Sequence, residues 1–99
     1  MAKYHLTYRA IDDLTAIWKY TSKNWSEKQA DYYYQTLIDN CQRISENPSA
    51  GKNYDTIIKG LMGLKVNRHI VFYRKIDEQT VEIIRFLHVT MDLKEKLSE

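Results

Sequence analysis

The feature that most constrains the fold is a change in hydrophobic period halfway along the chain. From Ala10 to Ile44 apolar residues recur every three to four positions, which is the spacing of amphipathic helices. From Met62 onward they alternate with polar residues or run continuously, as in strands. Pro48 marks the boundary, because the residue before a proline is pushed out of the helical region. The chain therefore predicts two helices followed by a sheet.

The helical half divides at Asn24-Trp-Ser26. The hydroxyl of Thr7 is placed to cap the first helix. Ser26 followed by Gln29 has the spacing of a capping box, so a second helix should start there and run to about Glu46. Two helices joined by so short a break should form an antiparallel hairpin.

Four strands and a short terminal helix complete the prediction. The expected strands are Lys3–Thr7, Met62–Val66, Ile70–Tyr73 and Val81–Leu87, with a turn at Asn67-Arg68 and a final turn of helix in residues 91–97. The fold class is therefore α+β, with the order β-α-α-β-β-β and an antiparallel sheet covered on one face by the helical hairpin. At 99 residues, the whole of 1–99 is expected to form a single domain.

Alternation along the last strand separates two candidate functional residues. Val81, Ile83, Arg85 and Leu87 should share one face, and Glu82, Ile84, Phe86 and His88 the other. Because Arg85 and His88 are three positions apart, their side chains should leave the strand on opposite faces. This spacing argues against a shared catalytic site.

Charge and cysteine content narrow the function classes. The net charge is only +2, but residues 52–76 contain six Lys or Arg against one acid, Asp55, which predicts a local basic patch. Cys41 is the single cysteine, so no intrachain disulfide can form, and no zinc-ligand spacing is present. No metal or cofactor is expected. The sequence contains no apolar signal core and no membrane-spanning run, so we expect a cytoplasmic protein without a membrane partner.

The order of these elements resembles the RelE/ParE toxins of type II toxin–antitoxin systems, and the ParE branch in particular. The residues that carry the resemblance are Ala10-Ile-Asp-Asp-Leu14 with Ile17 and Tyr20, Asn47-Pro48 with Gly51, Gly60 with Val66-Asn-Arg-His-Ile-Val-Phe-Tyr-Arg74, and Ile83-Ile-Arg-Phe-Leu-His88 with Met91-Asp92. The resemblance implies a toxin neutralised by a cognate ParD-like antitoxin. ParE-branch members are known to poison DNA gyrase, whereas RelE-branch members cut mRNA on the ribosome. Contact with DNA would occur only indirectly, through the antitoxin.

We expect no catalytic residues, and a binding surface instead. The expected target-binding residues are Arg68, Arg74, Met91, Asp92 and Lys94, and the expected antitoxin-binding residues are Trp18, Trp25 and Tyr32. Spare aromatic side chains on a helix pair suit a partner helix.

Two alternatives remain open from the sequence. One is a RelE-like ribosome-dependent mRNA endonuclease that uses Arg68, Arg85 and His88, since metal-free RNA cleavage needs an acid or base beside cationic side chains. The RelE branch typically has a late tyrosine or histidine, and the tyrosines here stop at Tyr73, which leaves His88 alone in that role. A simpler interpretation gives these residues structural roles. Arg85 would form an ion pair with Glu82, Asp77 or a carboxylate on the helices. His88 would hydrogen-bond to a backbone carbonyl, and His69 would be exposed. The other alternative is a non-toxic remnant that binds the antitoxin and adjusts operon transcription.

Overall fold

The computed structural model describes residues 2–98 and has the predicted order of elements. The elements are β1 Lys3–Leu6, α1 Tyr8–Asn24, α2 Glu27–Glu46, a 3₁₀ turn Pro48–Ala50, β2 Lys52–Asn53, β3 Met62–Val66, β4 His69–Asp77, β5 Thr80–His88 and α3 Leu93–Leu97. The two-residue strand β2 is an addition to the predicted set. It lies between Pro48 and Met62, where the sequence predicted no strand.

The five strands form one sheet in the order β1-β5-β4-β3-β2. The pairs β2–β3, β3–β4 and β4–β5 are antiparallel, whereas β1 runs parallel to β5. The predicted fold class is confirmed, and the sheet is mixed at this one edge. Tight turns force neighbouring strands to be antiparallel, but β1 and β5 are separated by most of the chain, so no turn fixes their relative direction.

The predicted helix caps are present, and one of them also contacts the sheet. The side chain of Thr7 accepts a hydrogen bond from the Ala10 amide at 3.1 Å, and its hydroxyl donates to the Ile84 carbonyl at 2.8 Å. The Ser26 side chain accepts from the Gln29 amide at 3.0 Å. The first cap therefore fixes where α1 starts relative to β5.

The main core lies between the helical hairpin and the sheet. Its buried members from the helices are Ala10, Leu14, Leu37, Cys41 and Ile44, and those from β3, β4 and β5 are Val66, Val71, Tyr73, Val81, Ile83 and Phe86. Burial raises the pKa of the Cys41 thiol to about 12. A thiol with so high a pKa stays protonated at neutral pH and is a poor nucleophile, so Cys41 acts as a small core side chain.

A second core covers the opposite face of the sheet. It contains Leu61, Ile70, Phe72, Leu87 and Leu97, with Tyr54, Ile57, Ile84 and Leu93 packed around it. The ring of Tyr54 meets that of Phe72 edge-on, with centroids 5.1 Å apart. The loop between β2 and β3 and helix α3 therefore cover a face that the sequence pattern left open.

A β-bulge in β5 changes which residues face each core. Phe72 pairs with Arg85, but its neighbour Tyr73 pairs with Ile83, so Ile84 is an extra residue in β5. Ile83 and Phe86 consequently both contact the helix-side core, while Ile84 packs in the second core. The prediction of strict alternation from Val81 to His88 is therefore wrong beyond Ile84, because the bulge shifts the pattern by one residue.

His69, which we expected to be exposed, is partly buried where β4 begins. The hydroxyl of Tyr33 lies 2.7 Å from His69 Nδ1 and 3.3 Å from the Val66 carbonyl oxygen, so α2 contacts the β3–β4 turn. Burial, and to a smaller extent the neighbouring His88, lower the pKa of His69 to about 4. The imidazole is therefore neutral at physiological pH.

This depressed pKa predicts a pH-dependent stability. The unfolded chain binds a proton on His69 near pH 6.5 and the folded chain only near pH 4, so stability is complete above pH 6.5 and falls as the pH drops toward 4. In denaturant unfolding, His69→Asn should remove roughly 1–2 kcal/mol of the stability difference between pH 7 and pH 4.5, allowing for partial exposure. The exposed His5 supplies the control variant His5→Asn. An unchanged pH dependence in His69→Asn would contradict the assignment.

Candidate functional site

Arg85 forms a buried ion pair with Asp13. The residue is 8% exposed, and its Nε and Nη2 atoms donate to the two carboxylate oxygens of Asp13 at 2.8 and 3.1 Å. Its Nη1 donates to the Lys96 carbonyl oxygen at 2.9 Å. Such bidentate arginine–carboxylate pairs have a fixed geometry, and their charge-assisted hydrogen bonds are stronger than those between neutral groups. Of the simpler interpretations, the pair with a helix carboxylate is confirmed, and the partner is Asp13 of α1.

Asp13 also accepts a hydrogen bond from the backbone at the outer edge of β5. The pairing of β1 with β5 ends at Leu6 and Ile83, and within residues 2–98 no strand continues along the outer edge of β5 beyond that point. There the Phe86 amide donates to Asp13 Oδ2 at 3.0 Å. One carboxylate on α1 therefore accepts from both the backbone and the side chain of β5, which explains why Arg85 is held in place.

His88 has its own, separate partners. Its Nδ1 atom lies 2.8 Å from Thr90 Oγ1 and accepts from the Thr90 amide at 3.2 Å. Its ring packs edge-on against His69, with centroids 5.3 Å apart. The expectation of a backbone carbonyl partner is wrong, because the turn after β5 presents an amide and a hydroxyl to this nitrogen. Arg85 meanwhile contacts α1 and α3, so the two side chains serve different parts of the fold.

The β3–β4 turn lies beside the start of the C-terminal tail. Asn67 has a φ of 53°, a left-handed conformation that asparagine tolerates in tight hairpin turns. The next residue, Arg68, is exposed, and its carbonyl accepts from the Val89 amide at 2.9 Å. Val89 and Met91 are both exposed apolar residues, Met91 by 41%. The structure therefore brings Arg68 next to the tail, and it adds Val89 to the predicted surface.

Asp92 and Lys94 occupy the first turn of α3. Asp92 caps the helix, since its carboxylate accepts from the Glu95 amide at 3.2 Å. Lys94 is exposed on the same turn. Met91 precedes the cap, and its amide donates to the His88 carbonyl at 3.0 Å. Three of the predicted target-binding residues therefore lie together on one short segment.

Arg74 lies away from this group. It is six residues beyond Arg68, which corresponds to roughly 20 Å along an extended strand. Its Nε atom forms a surface ion pair of 3.0 Å with Glu82 Oε1. With Lys59 and Ile58 it borders a groove of about 380 Å³ on the sheet face opposite the helical hairpin. The predicted set of target-binding residues therefore divides into two locations.

The predicted antitoxin-binding aromatics lie on the helical hairpin in different environments. Trp18 is partly buried and donates from Nε1 to Asp31 Oδ1 at 2.9 Å, which ties α1 to α2. Trp25 and Tyr32 are 67% and 68% exposed. Trp18 lines a surface groove of about 450 Å³ between the helices, together with Leu14, Thr15, Lys19, Asp31, Tyr34 and Gln35.

Two further exposed aromatics were not assigned to this surface by the sequence analysis. Tyr34 fits the apolar period of the second helix, yet it is exposed and lines the groove. Tyr20 packs against Trp25 with ring centroids 6.3 Å apart. The adjacent Tyr33 and Tyr34 fit the helical period equally well, and only packing decides that Tyr33 turns toward the sheet.

Residues 2–98 lack two kinds of feature. Within residues 2–98, no helix combines the length and apolar character that crossing a bilayer requires. The same residues hold no group of three or more His, Cys, Asp or Glu side chains arranged to bind a metal ion.

Comparison with known sequences identifies one family. The sequence profile of the "ParE toxin of type II toxin-antitoxin system, parDE" matches residues 4–93. Toxin ParE1 of Caulobacter vibrioides is 35% identical over 97 residues, which cover 98% of this chain and 99% of that protein. Toxin ParE1 of Mycobacterium tuberculosis is 33% identical over 96 residues, covering 97% and 98% respectively.

Solved structures have the same fold. A chain of the chromosomal ParDE toxin–antitoxin system from P. aeruginosa superposes with a TM-score of 0.76 at 18% identity, covering 90% of this chain and 97% of its own. A chain of the toxin–antitoxin complex RelBE2 from Mycobacterium tuberculosis gives 0.68 at 20% identity, covering 88% and 96%. At these identities the structures support the fold, while the profile and the curated relatives establish the family. On that basis the chain belongs to the ParE toxin family of type II toxin–antitoxin systems.

Proposed function

We propose that this ParE-family toxin inhibits DNA gyrase by binding to it, and that a cognate ParD-like antitoxin neutralises it. The main support for the proposal is that the Arg85 guanidinium is already hydrogen-bonded to the Asp13 carboxylate and to the Lys96 carbonyl. A metal-free endonuclease needs an acid or base and free cationic groups around one phosphate. Arg85 is the cation that the nuclease alternative requires beside His88, and its burial favours a binding role for the chain.

The surface formed by Arg68, Val89, Met91 and Lys94, here called the tail surface, is the proposed gyrase-binding site. It combines two exposed apolar residues with two exposed cations at one end of the sheet. Protein interfaces are typically organised around such apolar anchors with a polar rim, and arginine is enriched in them. Asp92 contributes by capping α3, and Arg74 supplies a second, separate cationic contact.

We expect substitutions in the tail surface to weaken gyrase inhibition. In a supercoiling assay with purified proteins, Arg68→Gln and Met91→Ser should each raise the half-inhibitory toxin concentration by about tenfold, the loss of one interface anchor of about 1.4 kcal/mol. The control is Lys75→Gln, which removes an exposed cation near the opposite end of β4. Unimpaired gyrase at a large excess of the wild-type toxin would overturn the proposal.

The same preparations separate the alternatives. Cleavage of mRNA in a reaction that contains ribosomes, lost in His88→Ala, would support the endonuclease. Absence of growth arrest on induction would support a non-toxic remnant. In either case the cell phenotype is distinct from the DNA damage and filamentation that gyrase poisoning should produce.

For the antitoxin we propose the aromatic face of the hairpin, with Trp18, Trp25 and Tyr32. The two structural neighbours come from a ParDE system and from a RelBE2 toxin–antitoxin complex, which supports an antitoxin partner for this chain as well. An apolar helix face docking on exposed aromatics is a common recognition mode. DNA would be contacted through the antitoxin in such a complex.

Truncating the exposed aromatics should weaken antitoxin binding. Trp25→Ala and Tyr32→Ala should each reduce the affinity for the antitoxin encoded beside the toxin by at least about tenfold, measured by titration calorimetry. Tyr8→Ala is the matched control, because Tyr8 is an 89% exposed aromatic at the opposite end of α1. If the control and the two variants lose affinity equally, or none does, the assignment of this face is wrong.

A further inference from the structure

We propose that Arg85 is a positioning residue that docks α3 on the sheet and thereby presents the tail surface. The inference rests on the proposed gyrase-binding role of that surface. The inference goes beyond the proposed function because it assigns a structural role to Arg85, which does not itself contact gyrase in that proposal.

Helix α3 is too short to be stable alone. It spans Leu93 to Leu97, five residues, whereas isolated helices shorter than roughly 12–15 residues are marginal in water. Tertiary contacts must therefore hold it. Leu97 is buried in the second core, and Leu93 packs against the same cluster.

The polar contact that holds α3 is made at its C-terminal end. The last carbonyls of a helix lack partners within it and carry partial negative charge. The Lys96 carbonyl is one of these, and Arg85 Nη1 donates to it at 2.9 Å. A guanidinium therefore provides both a hydrogen bond and a favourable charge at the end where a helix accepts a cation.

The guanidinium can do this because Asp13 fixes its orientation. Two of its nitrogens are bound to the Asp13 carboxylate, which leaves Nη1 directed at α3. Asp13 in turn is held by the Phe86 amide. A lysine can keep the charge opposite Asp13 but has no rigid fork with which to reach a second acceptor at the same time.

The tail is consequently held at two points. At its start the Val89 amide donates to the Arg68 carbonyl, and at its end Arg85 holds the last turn of α3. Met91 and Lys94 lie between these two anchors. Release of α3 would leave the tail surface attached at one end only, and its apolar and cationic groups would lose their fixed arrangement.

The test combines two variants with three measurements. Arg85→Lys keeps a cation opposite Asp13 and removes the bond to Lys96, whereas Leu97→Ala weakens α3 docking without touching the ion pair. Limited trypsin digestion should cut after Lys94 and Lys96 at least fivefold faster in both variants, while cutting after Lys59 stays unchanged, because a docked helix resists proteolysis. Gyrase inhibition should weaken at least fivefold, and antitoxin affinity should stay within twofold of wild type.

The digestion includes a matched control. Arg74→Lys makes the same chemical change in the exposed pair with Glu82 on the neighbouring strands, and it should leave cutting at Lys94 and Lys96 unchanged. A loss of antitoxin affinity parallel to the loss of gyrase inhibition would indicate general destabilisation and overturn the positioning role.

The remaining outcomes separate this inference from the proposed function. Unchanged digestion of both variants would overturn the docking role, whatever gyrase does. Faster digestion with undiminished gyrase inhibition would overturn the presentation of the tail surface. Faster digestion while the wild-type toxin leaves gyrase unaffected would support docking by Arg85 and remove the gyrase proposal. Should Arg85→Lys fail to fold, Leu97→Ala decides the presentation role alone.

Discussion

The rest of the structure depends on the ion pair between Arg85 and Asp13. Burying two charges is costly, and the cost is offset only when the geometry and the remaining hydrogen bonds are good. Here the carboxylate accepts from two guanidinium nitrogens and the Phe86 amide, and the guanidinium also caps α3. One pair therefore joins α1, β5 and α3. Removing either partner alone would leave a buried charge, at a cost of about 3–5 kcal/mol.

The bulge at Ile84 decides which residues of β5 reach each core. It places Ile83 and Phe86 toward the helices and Ile84 and Leu87 toward the second core, so both cores receive apolar side chains from this strand of nine residues. The second core in turn gives α3 a surface to pack on through Leu97. Without a covered second face, the C-terminal tail would have no apolar support.

The sequence predicted what is local, and missed what depends on distant parts of the chain. The hydrophobic period, the Thr7 and Ser26 caps and Pro48 located both helices, because these signals act within a few residues. The parallel direction of β1 and the choice of Asp13 among the carboxylates expected to pair with Arg85 involve residues more than 70 positions apart, and no local pattern encodes them. The burial of His69 was missed for the same reason, since Tyr33 is contributed by α2. Of the candidate site, the sequence located Arg68 and the tail but did not show that they are adjacent.

The packing at the start of β4 bears on how an antitoxin would neutralise the toxin. Tyr33 of α2 contacts Val66 and His69, the two residues that flank the turn carrying Arg68. The exposed Tyr32 is its immediate neighbour on α2. A partner seated on the hairpin aromatics would therefore contact the same helix, α2, whose Tyr33 packs on that turn. Under the proposed function, we infer that an antitoxin on the hairpin neutralises the toxin by hindering the access of gyrase to Arg68.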